Sequence, residues 1–151
     1  MIEVDLHALG SRIGQEIAVS DWLDIPQARI DQLAEATGDH QWIHVDPIRA
    51  AVESPYRTTV AHGFLTLSLL STLARSALSV GQIPMAVNYG INRARFIAPV
   101  PVGSRIRGRF TPSAVEQVGH ALQVTWNVIV EREGGDKPCA VVDWIIRYYL
   151  L

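Results

Sequence analysis

Asp39 and His44 lie in the most polar segment of the chain, Ala36-Thr-Gly-Asp-His-Gln-Trp-Ile-His-Val-Asp-Pro47, which also holds His40 and Asp46. A carboxylate and an imidazole that converge on one water can draw a proton from it near neutral pH, where imidazole changes charge. Spacing alone does not make them converge, because Gly38 and Pro47 leave little continuous helix between them. Two plainer roles compete: aspartate after glycine often only closes a turn, and a half-buried histidine can simply bond to backbone. Asp46 before Pro47 reads as a helix cap followed by a first-turn proline. His40 and His44 have the i, i+4 spacing of a zinc-protease pair, but that spacing aligns two ligands only on an unbroken helix. No metal site is expected here.

A second segment, Val60-Ala-His-Gly-Phe-Leu65, places Gly63 at the start of an apolar run. The first N–H groups of a helix have no intrahelical acceptor and sit at the positive end of its dipole. They can therefore hold a carbonyl oxygen that becomes negative during a reaction. The alternative is a tight helix start where any side chain would clash, with His62 shaping that start. Arg93, Arg95, Arg105, Arg107 and Arg109 crowd a third stretch. They suit either the phosphates of an anionic ligand or a solvated outer strand face.

The elements that must position these residues follow from hydrophobic periodicity. Asp24 to Thr37 predicts a helix, with Asp24 as cap, Pro26 in the first turn, an apolar stripe of Ile30, Leu33 and Ala34, and Gly38 as stop. Asp46-Pro47 opens a short helix through Ala51. Gly63 to Ser79 is apolar in nearly every direction and predicts a buried central helix, with Gly81 as its stop. Period-two alternation predicts strands at Met85 to Ile97, Ser104 to Pro112, His120 to Arg132 and Cys139 to Tyr149, with a further strand at Glu16 to Trp22. A helix greasy all round and a meander of strands pack best as a sheet curled around the helix, an α+β arrangement.

Composition bounds the rest. A chain of 151 residues fits one domain, 1–151. Its net charge of -2 and the lack of a basic stripe argue against nucleic acid as a partner. The apolar stretch Phe64 to Val80 is interrupted by Arg75 and several hydroxyl residues, so no bilayer span or membrane partner is expected. Cys139 is the only cysteine, which fits a soluble protein of the cytoplasm. No glycine-rich dinucleotide fingerprint is present, so no redox cofactor is expected.

Four stretches in order resemble the MaoC-like dehydratase family of (R)-specific enoyl-CoA hydratases, especially its nodulation-protein-N-like branch. They are Ala34 to Pro47, Ala61-His-Gly-Phe-Leu-Thr-Leu67, Asn88-Tyr-Gly-Ile-Asn92 and Arg95-Phe-Ile-Ala-Pro-Val-Pro-Val-Gly-Ser104. The resemblance implies a hot-dog fold, an antiparallel β-sheet wrapped around a long central α-helix. It also implies a homodimer with pockets at the subunit interface and an acyl-CoA thioester as substrate, coenzyme A entering as part of it. Asp39 and His44 become the catalytic pair, and Gly63 the donor to the thioester oxygen. Ser71, His62, Gln41, Trp42, Asn88, Tyr89 and Gly90 join it as substrate-binding residues. Gln41-Trp42 replaces the commoner Asn-Pro of the family, which puts acyl preference outside what carries over. The implied reaction is reversible hydration of a trans-2-enoyl-CoA to the (R)-3-hydroxyacyl-CoA. A hot-dog thioesterase and a non-catalytic acyl-CoA binding module are the alternatives.

Overall fold

A computed structural model describes residues 1–81 and 83–150. Its elements in chain order are β1 (Ile2–Glu3), a 3-10 turn (Leu9–Arg12), β2 (Ala18–Val19), β3 (Leu23–Ile25), α1 (Gln27–Thr37), α2 (Trp42–Val45) and α3 (Pro47–Glu53). There follow α4 (Gly63–Ser68), α5 (Leu70–Ala77), β4 (Leu78–Ser79), β5 (Met85–Phe96), β6 (Ser104–Val118), β7 (Ala121–Arg132) and β8 (Ala140–Tyr149).

The main sheet is antiparallel throughout, in the order β2-β6-β7-β8-β5, with β3 also pairing β6. Alternation along β6 and β7 puts Ile106, Phe110, Val124, Trp126, Val128 and Val130 on the inner face, all nearly inaccessible to water. Leu65, Leu70, Leu73, Ala74 and Ala77 of α4 and α5 join them in one cluster, so the sheet curls round the helical segment as the pattern predicts. Trp126 carries its polar tip into this core, where Nε1–H donates to the Tyr148 hydroxyl at 3.2 Å.

The central helix is not continuous. It breaks at Leu69, although the Leu69 N–H still reaches Leu65 O at 3.1 Å and the Leu73 N–H reaches Leu69 O at 2.9 Å. The Ser68 hydroxyl donates to Phe64 O at 2.7 Å, competing for the acceptor that the backbone ladder would use, and such back-bonding bends helices. Nor does the segment reach Ser79 as a helix, since Leu78 and Ser79 pair in parallel with Ile2 and Glu3. One side of it, with Phe64, Ser68 and Arg75, is exposed.

Asp24 does not cap α1. It lies in β3 opposite Arg105, and the helix begins at Gln27 after Pro26. Sheet pairing with a strand far along the chain outweighs the local capping signal there. Of the strand expected over Glu16 to Trp22 only Ala18–Val19 forms, as β2, and β3 follows just beyond that range at Leu23–Ile25. Gly38 does end α1, with φ of 78° and its N–H on Ala34 O at 2.8 Å; a residue with a Cβ would be strained there. Asp46 does cap α3, its Oδ1 accepting from the Arg49 N–H at 2.9 Å.

Four of the five crowded arginines are ion-paired, while Arg95 donates to the Ala94 carbonyl at 2.9 Å. Arg105 pairs with Glu133, Arg107 with Glu131, and Arg109 with Glu16 at 2.8 Å, while Arg93 is 3.5 Å from Asp143. Trp22 lies beneath the guanidinium of Arg107 at 4.4 Å.

Candidate active site

Two chain segments build the site. Gly38 ends α1 sharply and turns Asp39 outward, and the short α2 then carries His44 inward. The second segment, Thr59 to Gly63, runs past α2 and delivers His62 at the start of α4.

The His44 ring is buried, and its Nδ1 lies 2.6 Å from the Val60 carbonyl. A carbonyl only accepts, so Nδ1 carries the proton and Nε2 keeps its lone pair. Burial lowers the His44 pKa from 6.5; the Val60 bond opposes this, His62 lowers it further and Asp39 raises it. The ring is therefore a neutral acceptor at pH 7. One ligand atom each of Asp39, His44 and His62 lies within 4.8 Å of the others. Two groups each about 2.8 Å from a shared water stand at most about 5.6 Å apart, so the carboxylate and the imidazole are close enough to hold one.

The backbone of His44 is fixed as firmly as its ring. Gln27 Nε2 donates to the His44 carbonyl at 2.7 Å, and the fully buried Thr59 hydroxyl donates to Gln27 Oε1 at 2.6 Å. Gln27 and Thr59 were not legible as site residues: they sit far apart in sequence and carry no motif.

His62 is only 3% exposed. Its Nε2 lies 3.0 Å from the backbone carbonyl of Asp39, and its ring stacks on His44 with centroids 3.8 Å apart and planes at 24°. Its Nδ1 is buried without a partner among the described residues. Each histidine thus gives one nitrogen to a carbonyl, as metal-bound histidines do. Yet imidazole lone pairs lie in the ring plane, and two nearly parallel planes do not converge on one ion at the roughly 2.0–2.1 Å a nitrogen ligand needs. The geometry fits a water or hydroxyl better than a metal. His40, the other half of the spacing that raised a metal site, lies apart from this cluster, 3.7 Å from Glu35.

Gly63 is the first residue of α4, and among the described residues its N–H has no acceptor. A Cβ there would come within 2.7 Å of the Phe96 ring, so the close approach requires glycine. Gly63 and Phe96 line a recess of about 220 Å³ with Ile43 and Val60, the direct neighbours of His44. Asp39 and His44 are not among its lining residues.

The other predicted residues divide. Ser71, Asn88 and Gly90 do come together, in a recess of about 190 Å³ with Leu67 and Trp144, between the central helix and the sheet. A second recess of about 290 Å³ continues from Ser71 and Asn88 to Ala74, Leu78, Ile146 and Tyr148. Tyr89 lies at the β-bulge between Asn88 and Gly90, its ring face covered by Arg147 at 3.4 Å. Gln41 precedes α2 and accepts the His44 N–H at its carbonyl, 2.9 Å away, and Trp42 is stacked under Arg49 at 4.4 Å. These two place the helix that carries His44.

Comparison with known proteins identifies the family and the fold. A family model described as MaoC like domain matches residues 8–133. The chain is 48% identical over 141 residues to 3-hydroxyacyl-thioester dehydratase Z of Mycobacterium tuberculosis, covering 93% of each chain. It is 48% identical over 147 residues to nodulation protein N of Rhizobium leguminosarum bv. viciae, covering 96% of this chain and 91% of the relative. The solved R-hydratase PhaJ1 of Pseudomonas aeruginosa superposes with a TM-score of 0.73 at 22% identity, over 92% of this chain and 83% of the other. The hot-dog fold is shared with it.

Proposed function

The chain belongs to the MaoC-like domain family, and we propose that it is an (R)-specific enoyl-CoA hydratase, adding water reversibly to a trans-2-enoyl-CoA to give the (R)-3-hydroxyacyl-CoA. The class of activity is that of a hydratase or dehydratase, a carbon–oxygen lyase. The observation that carries the proposal is the approach of the Asp39 carboxylate to a neutral His44 whose free nitrogen is Nε2.

In the proposed reaction Asp39 and His44 Nε2 hold one water over the double bond. As its oxygen bonds to the β-carbon, the pair takes a proton from it, and a proton reaches the α-carbon. Between these events the thioester oxygen gains enolate charge, which the free Gly63 N–H stabilises. The recess at Ser71, Asn88 and Trp144 would take part of the acyl group, being lined mainly by apolar side chains. No redox cofactor or metal enters this scheme, and coenzyme A arrives with the substrate.

A homodimer is part of the proposal. β5 is a twelve-residue edge strand that is largely exposed, presenting Met85, Val87, Tyr89 and Ile91. A long apolar edge is a template for a second chain. Pairing there would also wall in the substrate recesses, which β5 lines through Asn88 and Phe96. No helix of the described residues is long and apolar enough to cross a membrane. The cytoplasm is the proposed location, supported by the lone buried thiol of Cys139.

The test is purified protein with crotonyl-CoA and longer trans-2-enoyl-CoAs, following loss of the enoyl absorbance, product stereochemistry and free thiol. The proposal expects (R)-3-hydroxyacyl-CoA and no thiol. Release of free thiol would instead identify a thioesterase, and thermal stabilisation by enoyl-CoA without turnover a binding module.

A further inference from the structure

We infer that His62 is a positioning residue that holds both members of the catalytic pair in register. The inference rests on the hydratase reading of Asp39 and His44. His62 reaches both through different parts of one ring. Its Nε2–H donates to the main-chain carbonyl of Asp39, and its face lies against the His44 imidazole. The first contact ties the exposed turn after Gly38 to the start of α4. The second packs one face of the His44 ring against a buried neighbour. In the neutral ring a donating Nε2 leaves Nδ1 as an acceptor, and among the described residues that buried atom has no partner. A buried polar atom without a partner costs stability, so the position is poorly suited to histidine on packing grounds alone. Phenylalanine would fill the space without an orphaned nitrogen but could not hold Asp39. Glutamine could donate to Asp39 but offers no ring face. Histidine is the side chain that does both.

The experiment compares His62→Phe and His62→Gln with wild type, using crotonyl-CoA hydration, thermal unfolding and ¹⁵N NMR of the histidine side chains and backbone amides. Wild type should show His62 protonated on Nε2 and His44 on Nδ1. A misplacement of about 1 Å can cost about a hundredfold in rate, so His62→Phe should lower kcat by about tenfold or more while KM stays within about twofold. His62→Gln, which keeps the donor, should recover part of that loss. Both should retain a cooperative unfolding transition and the Nδ1–H form of His44 that the Val60 carbonyl holds. The Asp39 and His40 amides should shift and gain mobility in His62→Phe, and His62→Gln should partly reverse this. Wild-type kcat in His62→Phe with unchanged Asp39 and His40 amides overturns the inference, as does His62 protonated on Nδ1 alone in wild type. If wild type hydrates no enoyl-CoA, the hydratase reading fails by itself. The Asp39 and His40 amides then decide the positioning role: their loosening in His62→Phe upholds it, and no change overturns it.

Discussion

His44 donates through Nδ1 to the Val60 carbonyl at 2.6 Å, while the Val60 N–H reaches Ile43 O at 3.0 Å. This two-way tie between α2 and the following segment decides which imidazole nitrogen is free. It also leaves Nε2 unprotonated, so that in the proposed reaction it can share one water with the Asp39 carboxylate. A positioned base contributes about 10²–10⁴-fold. Asp39→Asn and His44→Gln should each therefore lower kcat for crotonyl-CoA hydration by at least about a hundredfold. Unfolding curves should show that both remain folded, and wild-type rates in either would remove that residue from the mechanism.

The pH profile should report His44. Its folded pKa lies below the 6.5 of an exposed histidine, chiefly because burial disfavours the imidazolium. The acid limb of kcat/KM should accordingly fall below pH 6.5, not at it. For stability the sign follows from proton binding. Between the lowered folded pKa and 6.5, the unfolded chain holds a proton on His44 that the folded chain lacks. Unfolding free energy should therefore rise with pH through that window and be complete above 6.5. Denaturant titrations from pH 5 to 7.5 on wild type and His44→Gln test this, because the variant should lose that part of the slope.

Where backbone chemistry is local, the sequence was enough to read it. Gly38 and Asp46 act as helix stop and cap because their conformational and hydrogen-bonding preferences need no distant partner. Asp24 carries the same local signal and fails, because pairing with Arg105 claims it for the sheet. The apolar run from Gly63 marks the central helix but hides its break, since a serine hydroxyl that turns back on its own helix leaves no trace in periodicity. At the site, Asp39, His44 and Gly63 are visible as residue types in a motif. Gln27 and Thr59 are not, because what makes them matter is burial against the His44 carbonyl, a product of tertiary packing.

Thr59 therefore gives a sharper test than a motif residue. Thr59→Val keeps the shape but leaves Gln27 Oε1 without its hydroxyl donor, 2.6 Å away in the native protein. Gln27 is half-buried, so stranding its Oε1 should cost about 1 kcal/mol, the low end for an unmade hydrogen bond, and chemical denaturation should show a loss of that size. Because Gln27 also holds the His44 carbonyl, kcat should fall several-fold as well. A stable and fully active Thr59→Val would mean that the network does not position the site.

At Gly63 the prediction concerns space. A methyl group there would meet three carbons of the Phe96 ring at 2.7 to 2.9 Å, closer than side chains tolerate. Gly63→Ala should push Phe96 off the recess and cost about 1–3 kcal/mol, the usual range for overpacking. The ring is partly exposed and belongs to the edge strand, so removing it should relieve the strain. In a double-mutant cycle, Gly63→Ala should cost much less in a Phe96→Ala background. Additive losses would place the clash elsewhere.

The exposed strand β5 makes the last prediction. Val87 and Ile91 stay 38% and 41% exposed in a strand whose one neighbour among the described residues, β8, is largely buried. If a second copy covers that edge, a charge placed on it faces its own image across a two-fold axis, and like charges opposite one another in a ladder repel. Ile91→Asp should shift the protein from dimer to monomer in light scattering coupled to size exclusion. Because β5 lines the recesses through Asn88 and Phe96, the monomer should bind enoyl-CoA more weakly, raising KM, while far-ultraviolet circular dichroism stays native. A monomeric wild type, or an Ile91→Asp dimer with unchanged KM, would show that the edge is left free and that one chain closes its own pocket.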